Sequence, residues 1–476
     1  MMHNLSLLKK LNFLQKKLLR ENQNNLIIAN ESLNIIKGHP SYLEIFEIKT
    51  SLQYLKLFLR YSLINLYSLF ISLIFYKNRF SQIKNNIDCL LISHLISENE
   101  SSLKNGNDFY FGDFEKNKNF KKLNSFKVII NHTKKYKSGY SNNNLIILQN
   151  YADFKYSIKI LSKLYFLFLK YLIKSSKDNN KNLLNIIALE FINPKTFRNL
   201  ILKKNFEHII NKRKVKKVFF TYEGFAWEKF LCEVIKKNDK NSELFGYQFA
   251  ILIESQNSIL NRISNKYLPN KIVTSGINNY KILRKKFSKI IIIGSSRFTK
   301  NKKRLNHFKK NCLVLPEGID SECNILLDFV LRLASKTPKI NFIIRFHPLT
   351  SVSKMKKKFF KIMKGEKFKN IIFSTKTFNF DLQRSSICLH RGSTSAITAA
   401  QGGLMPIYYN FKSHLNIDPM FQIDKSIRYV NDYKDFEKLT GLSDKKRKLV
   451  LNKLNKYLQD YFVKFNHQTL NKILKK

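Results

Sequence analysis

The stretch ICLHRGSTSAITAAQGG, residues 387–403, decides how the chain is read. It opens on a short apolar run, Ile387–His390, that fits a buried strand. A loop follows, His390–Ser395, and then a run of small residues suited to a closely packed helix. Gly392 frees the backbone, while Ser393, Thr394 and Ser395 place hydroxyls beside the unpaired N–H groups of a helix start, which makes an anion site. Ordinary N-capping by Ser or Thr predicts the same residues, and the two uses are compatible.

The same order of strand, loop and helix repeats upstream. In NFIIRFHP, residues 341–348, a strand over Phe342–Phe346 ends at Arg345, His347 and Pro348. Alternation along a strand predicts that Arg345 and His347 face one way and Phe346 the other. An imidazolium or guanidinium at a strand's carboxyl end can stabilise charge on a diphosphate. Before it, a strand over Cys312–Leu315 runs into the loop Leu315–Ile319. There Gly318 permits close backbone approach, and Glu317 offers a carboxylate to a hydroxyl or a base edge; a Pro-x-Gly turn before a helix capped near Ser321 predicts the same residues. Further strands fall at Ile371–Phe373 and Pro406–Tyr409, with helices over Glu322–Ser335 and Ser351–Lys364.

The first half of the chain carries a second such series. Residues 1–80 read as helical, with Leu and Ile at three- and four-residue spacings. Strands are predicted at Cys89–Ser93 (followed by His94), Val128–Asn131, Leu145–Leu148, Val218–Thr221, Leu244–Tyr247, Lys271–Thr274 and Ile290–Ile293. Asn105–Phe114 is a turn-rich loop, residues 155–213 are helical, and Tyr222, Glu223 and Gly224 turn the chain into a helix over Ala226–Lys236. Short apolar runs separated by helices predict parallel sheets covered on both faces. The polar stretch Thr299–Lys310 is the natural linker. The expected organisation is a helical N-terminal extension over 1–80, an N-terminal Rossmann-like acceptor domain over 81–298, the linker 299–310, a C-terminal Rossmann-like donor domain over 311–434, and C-terminal helices over 435–476. The fold class is α/β, two doubly wound domains facing a cleft, with ligands expected outside the carboxyl ends of the strands.

The 476 residues carry 86 Lys and Arg against 33 Asp and Glu, a formal charge of +53. Such a field attracts nucleic acid, anionic lipid or phosphorylated substrates. Lys, Asn, Ile and Phe are abundant throughout, so compositional bias explains much of it, and the excess of Lys over Arg speaks against specific base recognition. Five scattered cysteines without a C-x-x-C pair fit buried free thiols in a cytoplasmic protein. The Lys-studded N-terminus lacks the continuous apolar core of a secretory signal. Tyr61–Tyr76 is almost free of charge yet shorter than the roughly 20 apolar residues of a span, and reads as a buried or interfacial helix. Leu161–Lys174 has a similar aromatic and basic character, which suits a membrane surface or packing against another helix.

The order of these loops resembles bacterial sialyltransferases, polysialyltransferases and related capsule-polymer transferases of the GT-B fold. Those enzymes carry a His-Pro motif and, some tens of residues later, a Ser-Ser/Thr motif in the C-terminal domain. The resemblance implies that His347 and the pair Ser393–Thr394 contact the donor nucleotide's phosphate. It extends over roughly residues 218–420 to surface-carbohydrate biosynthesis proteins of the same fold. These share a Y-E-G-x-x-W-E segment, here Tyr222–Glu228 with Trp227, and a G-Y-Q stretch, here Gly246, Tyr247 and Gln248. The acidic-acidic-Gly motif that supplies the family's general base is absent; Glu223 and Gly224 are its nearest counterpart in placement. Phe249 stands where relatives carry His after the Y-Q pair.

The expectation is a metal-independent, inverting transfer from a CMP- or UDP-linked sugar to a surface polysaccharide or lipid-linked glycan. Glu223 would act as general base. His347, Glu317, Gly318, Arg345, Arg391, Gly392, Ser393, Thr394 and Ser395 form the expected donor site. His94, Trp227, Glu228 and Gln248 are acceptor-side candidates, although Glu223 and Glu228 equally suit a role in holding the loop, and His94 that of a polar surface residue. No cofactor is implied, and the absence of a D-x-D pair implies no metal. A CDP-glycerol-type polyol-phosphate transferase and a UDP-sugar 2-epimerase of the same fold are competing readings. A non-catalytic basic protein on membrane or nucleic acid is a third. The expected location is the cytoplasm, with peripheral association at the inner face of an anionic plasma membrane and no specific nucleic-acid partner.

Overall fold

Strands buried on both faces must be apolar along their whole length, and the short apolar runs of this chain become the strands of two separate sheets. The computed structural model describes residues 26, 28–30, 50–76, 85–95, 108, 110–132, 141–142, 144–148, 151–176, 181–211, 213–254, 258–259, 264–296, 298, 310–347, 352–362, 368–412, 414 and 416–475. The first sheet holds β1 (Asn86–Leu95), β2 (Ser125–Asn131), β3 (Ser141–Asn142), β4 (Leu145–Leu148), β5 (Lys214–Thr221), β6 (Glu243–Gln248), β7 (Lys271–Thr274) and β8 (Ile290–Ile292). Their order is β3-β4-β2-β1-β5-β6-β7-β8, parallel throughout except for the antiparallel edge pair β3 and β4. The second sheet holds β9 (Asn311–Leu315), β10 (Asn341–Ile344), β11 (Ile371–Phe373), β12 (Ile387–His390), β13 (Met405–Tyr409) and β14 (Tyr429–Val430). It is wholly parallel, in the order β11-β10-β9-β12-β13-β14.

The principal helices are α1 (Ser51–Phe75), α2 (Phe154–Ser176), α3 (Lys181–Phe191), α4 (Pro194–Ile210), α5 (Ala226–Asn238), α6 (Ile277–Leu283), α7 (Asp320–Lys336), α8 (Val352–Ile362), α9 (Phe378–Gln383), α10 (Ser395–Gln401), α11 (Tyr433–Thr440), α12 (Asp444–Gln459) and α13 (His467–Lys475). The expected α/β class with two doubly wound sheets is what the structure shows. Two differences matter. β10 stops at Ile344, not at Phe346, so Arg345 and His347 lie beyond the regular alternation. Helix α7 begins at Asp320 after Ile319, so Ser321 is inside its first turn and not its cap. The edge strands β3 and β14 have two residues each, too short to leave a periodic signal. Most of the predicted linker, 299–309, lies outside the described residues.

Alternation sends the two sides of the first sheet into different cores. Val218 and Phe220 of β5 pack with Phe206 of α4 and Leu231 of α5, while Phe219 packs on the other side with Phe114, Phe465 and Leu470. The second sheet shares one core with α7, α10 and α12, built on residues such as Leu313, Leu327, Ile397 and Leu454. All five cysteines are buried free thiols.

The C-terminal helices do not stay together. Helix α12 packs on the second sheet, and α13 returns to the first. Between them the backbone zips along the first sheet's strand ends. Ile277 N–H donates to Asp460 O at 2.8 Å, Val463 N–H to Ser275 O at 3.0 Å, and Asn466 N–H to Ile293 O at 2.8 Å. The approach is close enough to require glycine at 276, where a Cβ would stand 2.0 Å from the Tyr461 carbonyl oxygen. Backbone on both sides leaves no room to relax. Gly276→Ala is therefore expected to destabilise the protein by about 1–3 kcal/mol, read from urea unfolding.

Candidate active site

In an open parallel sheet, ligands collect where the strand order reverses, because two neighbouring loops there turn to opposite faces and leave a crevice. The second sheet reverses between β9 and β12, whose ends are aligned: His390 lies opposite Leu315. The loops Leu315–Ile319 and Arg391–Thr394 therefore flank that crevice, and the loop after β10 adjoins on the β9 side. A Cβ on Gly318 would sit 3.0 Å from His347 Nδ1. A Cβ on Gly392 would sit 3.4 Å from Glu317 Oε2. Residues from three strand ends, Glu317, Gly318, His347 and Gly392, thus meet in one place.

Gly392 has φ +86°, the left-handed region, and a side chain there would also meet Ile417 Cδ1 at 2.6 Å. Ser393 is buried, Ser395 half-buried and Thr394 exposed; the Thr394 side chain makes no capping bond to α10. Capping therefore does not occupy that hydroxyl. His390, directly below, is fully buried, and burial pushes its pKa down to about 4, so it is neutral.

Two donor-site expectations need correction. Arg345 and His347 do not point together. The Arg345 guanidinium turns towards the β11 side, bonding the Lys376 carbonyl at 2.6 Å and the buried Asp381 carboxylate at 3.1 Å. Asp381 also takes Ser374 Oγ at 2.5 Å and Arg384 at 2.9 Å, so Arg345 holds the loop after β11. Arg391 is likewise no ligand residue, because it is completely buried. Its Nε donates to Glu322, and Nη1 donates to the Tyr408 hydroxyl and the Tyr409 carbonyl, both at 3.2 Å. The Tyr408 hydroxyl accepts from Ile417 N–H at 3.1 Å, which ties this network to the residue packed on Gly392. Although burial opposes it, His414 and Arg391 hold the Glu322 carboxyl below its usual range.

Glu317 behaves differently. Desolvation pushes its carboxyl up to about 7, with the Gly318 N–H pulling the other way and the charge of Glu322 adding to the rise. Burial also lowers the His347 pKa, so its imidazole is a neutral N–H donor near neutral pH until an anion binds. A raised carboxyl pKa favours the protonated form in the folded state. The associated stability is complete below the ordinary value of 4.5 and is lost as pH rises through about 7. Glu317→Gln, which stays neutral, is expected to melt progressively higher than wild type between about pH 4 and about pH 8. Affinity for an anionic nucleotide should fall more steeply in wild type than in the variant as pH rises through about 7.

The first sheet reverses between β1 and β5. There His94 Nδ1 lies 2.8 Å from His132 Nε2, and His94 Nε2 lies 2.9 Å from Thr221 Oγ1. Burial, then the neighbouring His132 and Arg198, push the His94 pKa down to about 3. His132 went unread in the sequence. Its only signal is a His directly after the apolar run Val128–Asn131, the same signal that marked His94.

Glu223 stands half-buried at the end of β5, where its backbone is fixed from both sides. Its N–H donates to the Glu228 carboxylate at 2.9 Å, and its carbonyl accepts from Ser258 Oγ at 2.8 Å. Glu228 is fully buried and also accepts from the N–H groups of Gly224 at 2.6 Å and Phe225 at 2.9 Å. Burial pushes its carboxyl pKa up, while those backbone donors pull it down. Glu228 is thus the staple of the turn, not an acceptor contact. Trp227 is also withdrawn from the acceptor side: it is buried against His94, Phe206 and Phe220. Gln248 is fully buried, and its amide holds the Ala250 carbonyl.

The segment leaving β6 links the two sheets. Ile251 packs into the second sheet's core, and Glu254 accepts from Asn416 at 2.7 Å, next to the Ile417 that covers Gly392. No protein-family model and no curated protein sequence matches the chain. Among solved structures it is similar to a glycosyltransferase from Rickettsia africae, at 12% identity and TM-score 0.43, over 82% of this chain and 98% of that one. It is similar to the wall teichoic acid polymerase TagF, at 9% identity and TM-score 0.40, over 90% and 97%. It is also similar to UDP-GlcNAc 2-epimerase from Methanocaldococcus jannaschii, at 10% identity and TM-score 0.45, over 82% and 99%. Likenesses this distant do not choose among sugar transfer, polymer synthesis and epimerisation.

Proposed function

We propose that the protein transfers a sugar from a nucleotide-activated donor to a glycan or lipid-linked acceptor, with inversion at the anomeric carbon. The observation that carries this reading is the meeting of Glu317, Gly318, His347 and Gly392 at the second sheet's reversal point. Two glycines give backbone access to an anion, and a half-buried imidazole supplies a donor beside them. The donor diphosphate or phosphodiester lies against His347, Gly318 and the Gly392–Ser395 segment, and Glu317 faces the nucleoside.

The acceptor enters from the first sheet. Glu223, on a turn fixed by Glu228, takes the proton from the acceptor hydroxyl. The oxygen attacks the anomeric carbon, the bond from that carbon to the donor phosphate oxygen breaks, and the nucleotide leaves with the electron pair. His347 and the Ser393–Thr394 hydroxyls meet the charge that develops on the phosphate, so the transfer is proposed to proceed in EDTA.

A nucleotide-release screen with CMP-sugars, UDP-sugars and CDP-glycerol, with and without surface glycolipid, tests this. Acceptor-dependent release from a nucleotide sugar supports the reading. Conversion of a UDP-sugar without acceptor identifies an epimerase instead, and release from CDP-glycerol alone identifies a polyol-phosphate transferase.

A further inference from the structure

Helix α1 is apolar on both sides: Tyr54, Leu57, Phe58, Tyr61 and Leu69 pack on the core, and a second apolar side faces outward. A surface helix normally turns its apolar stripe inward and its polar residues outward. On α1 the fully buried positions are the polar Asn65 and Ser72, and Asn65 donates to the Ile192 carbonyl at 2.7 Å. Phe58 on the same side stacks on Phe168 of α2, with ring centres 5.2 Å apart. The opposite side, at three- and four-residue spacings, presents Leu59, Leu63, Leu66, Phe70 and Leu73, each 50–67% exposed. The neighbouring α2 adds Phe166, Leu169 and Ile173, also 53–66% exposed.

Helix α1 is the one described helix long and apolar enough to cross a membrane. Its anchorage by Asn65 and Phe58 instead lays it along the domain, with one side on protein and the other free. We propose that α1 and α2 form a membrane-docking face that lies in the headgroup boundary of an anionic lipid bilayer.

Charge selects this occupant. Every charged residue of α1 and α2 is Lys or Arg, Lys56, Arg60, Lys163 and Lys170 among them. Exposed lysines alternating with exposed Phe and Leu match a surface of anionic headgroups above acyl chains. A second copy of this chain fits poorly, because each copy carries +53 and would bring like charge to the same face. The proposal stands apart from the assigned chemistry, since no residue of α1 or α2 belongs to the site.

Flotation of the full-length protein with phosphatidylcholine vesicles, with and without phosphatidylglycerol, tests it. Wild type is expected to float with the phosphatidylglycerol vesicles. The double variant Leu63→Glu/Phe70→Glu, altered only at exposed positions, is expected to bind at least about tenfold less with an unchanged melting temperature. Lys163→Gln/Lys170→Gln should weaken binding and reduce its salt sensitivity. Failure of wild type to float overturns the proposal, as does equal binding by Leu63→Glu/Phe70→Glu. A wild-type dimer that this variant dissociates, with no lipid binding by either, overturns it in favour of a second copy.

Discussion

Replacing His347 with Ala should lower nucleotide-sugar turnover roughly 100- to 1000-fold, the range typical for losing one donor aimed at charge that develops in the transition state. The melting temperature should change little, because the ring is half-buried against Gly318 and lies outside the sheet's core. The loss should appear in kcat more than in KM if the imidazole acts on the departing phosphate. Initial rates across donor concentration check this. A variant that lost only stability, or raised only KM, would make His347 a packing or ground-state contact. Arg345→Ala provides the contrast. Its guanidinium already serves Asp381 and the Lys376 carbonyl, so that variant should lose stability before it loses chemistry.

Glu322→Ala is expected to cost about 3–5 kcal/mol of unfolding free energy, the penalty for leaving a buried charge without its partner. The charge is the Arg391 guanidinium, completely buried with Glu322 as its carboxylate. The double variant Glu322→Leu/Arg391→Met should recover most of that loss in urea unfolding, because it removes both charges. It should not recover donor binding. Arg391 and Tyr408 carry the hydrogen bonds that hold Ile417 against Gly392, and without them the loop is no longer fixed. Stability and affinity would then separate in one variant, which a pair that served only global stability, without positioning the loop, could not produce.

The strands and their loops were readable because buried parallel strands leave continuous apolar runs, as at Leu145–Leu148 and Ile387–His390. The glycines were readable for a similar reason: a loop that closes over backbone tolerates little else, and Gly392 needs its positive φ. Side-chain direction was not readable. Arg345 and Arg391 occupy strand ends like His347 does, yet Asp381 and Glu322, distant in sequence, draw them away from the crevice. The pattern offered Glu228 both as an acceptor contact and as a holder of the loop, and only its bonds to three backbone N–H groups choose the second. Helix α1 was readable as apolar but not as exposed along one whole apolar side, because only its packing partners tell inside from outside.

The central claim is that the donor nucleotide binds at the carboxyl ends of β9, β10 and β12, apart from the base on the first sheet. Calorimetric titration of UDP and of CMP into wild type, Gly392→Val and Glu223→Ala tests it most directly. At least one nucleotide should bind wild type and Glu223→Ala alike, and fail to bind Gly392→Val, whose side chain fills the space beside Glu317 and Ile417. Glu223→Ala should meanwhile be inactive in transfer. Equal binding by a folded Gly392→Val, or loss of binding in Glu223→Ala, would contradict the account.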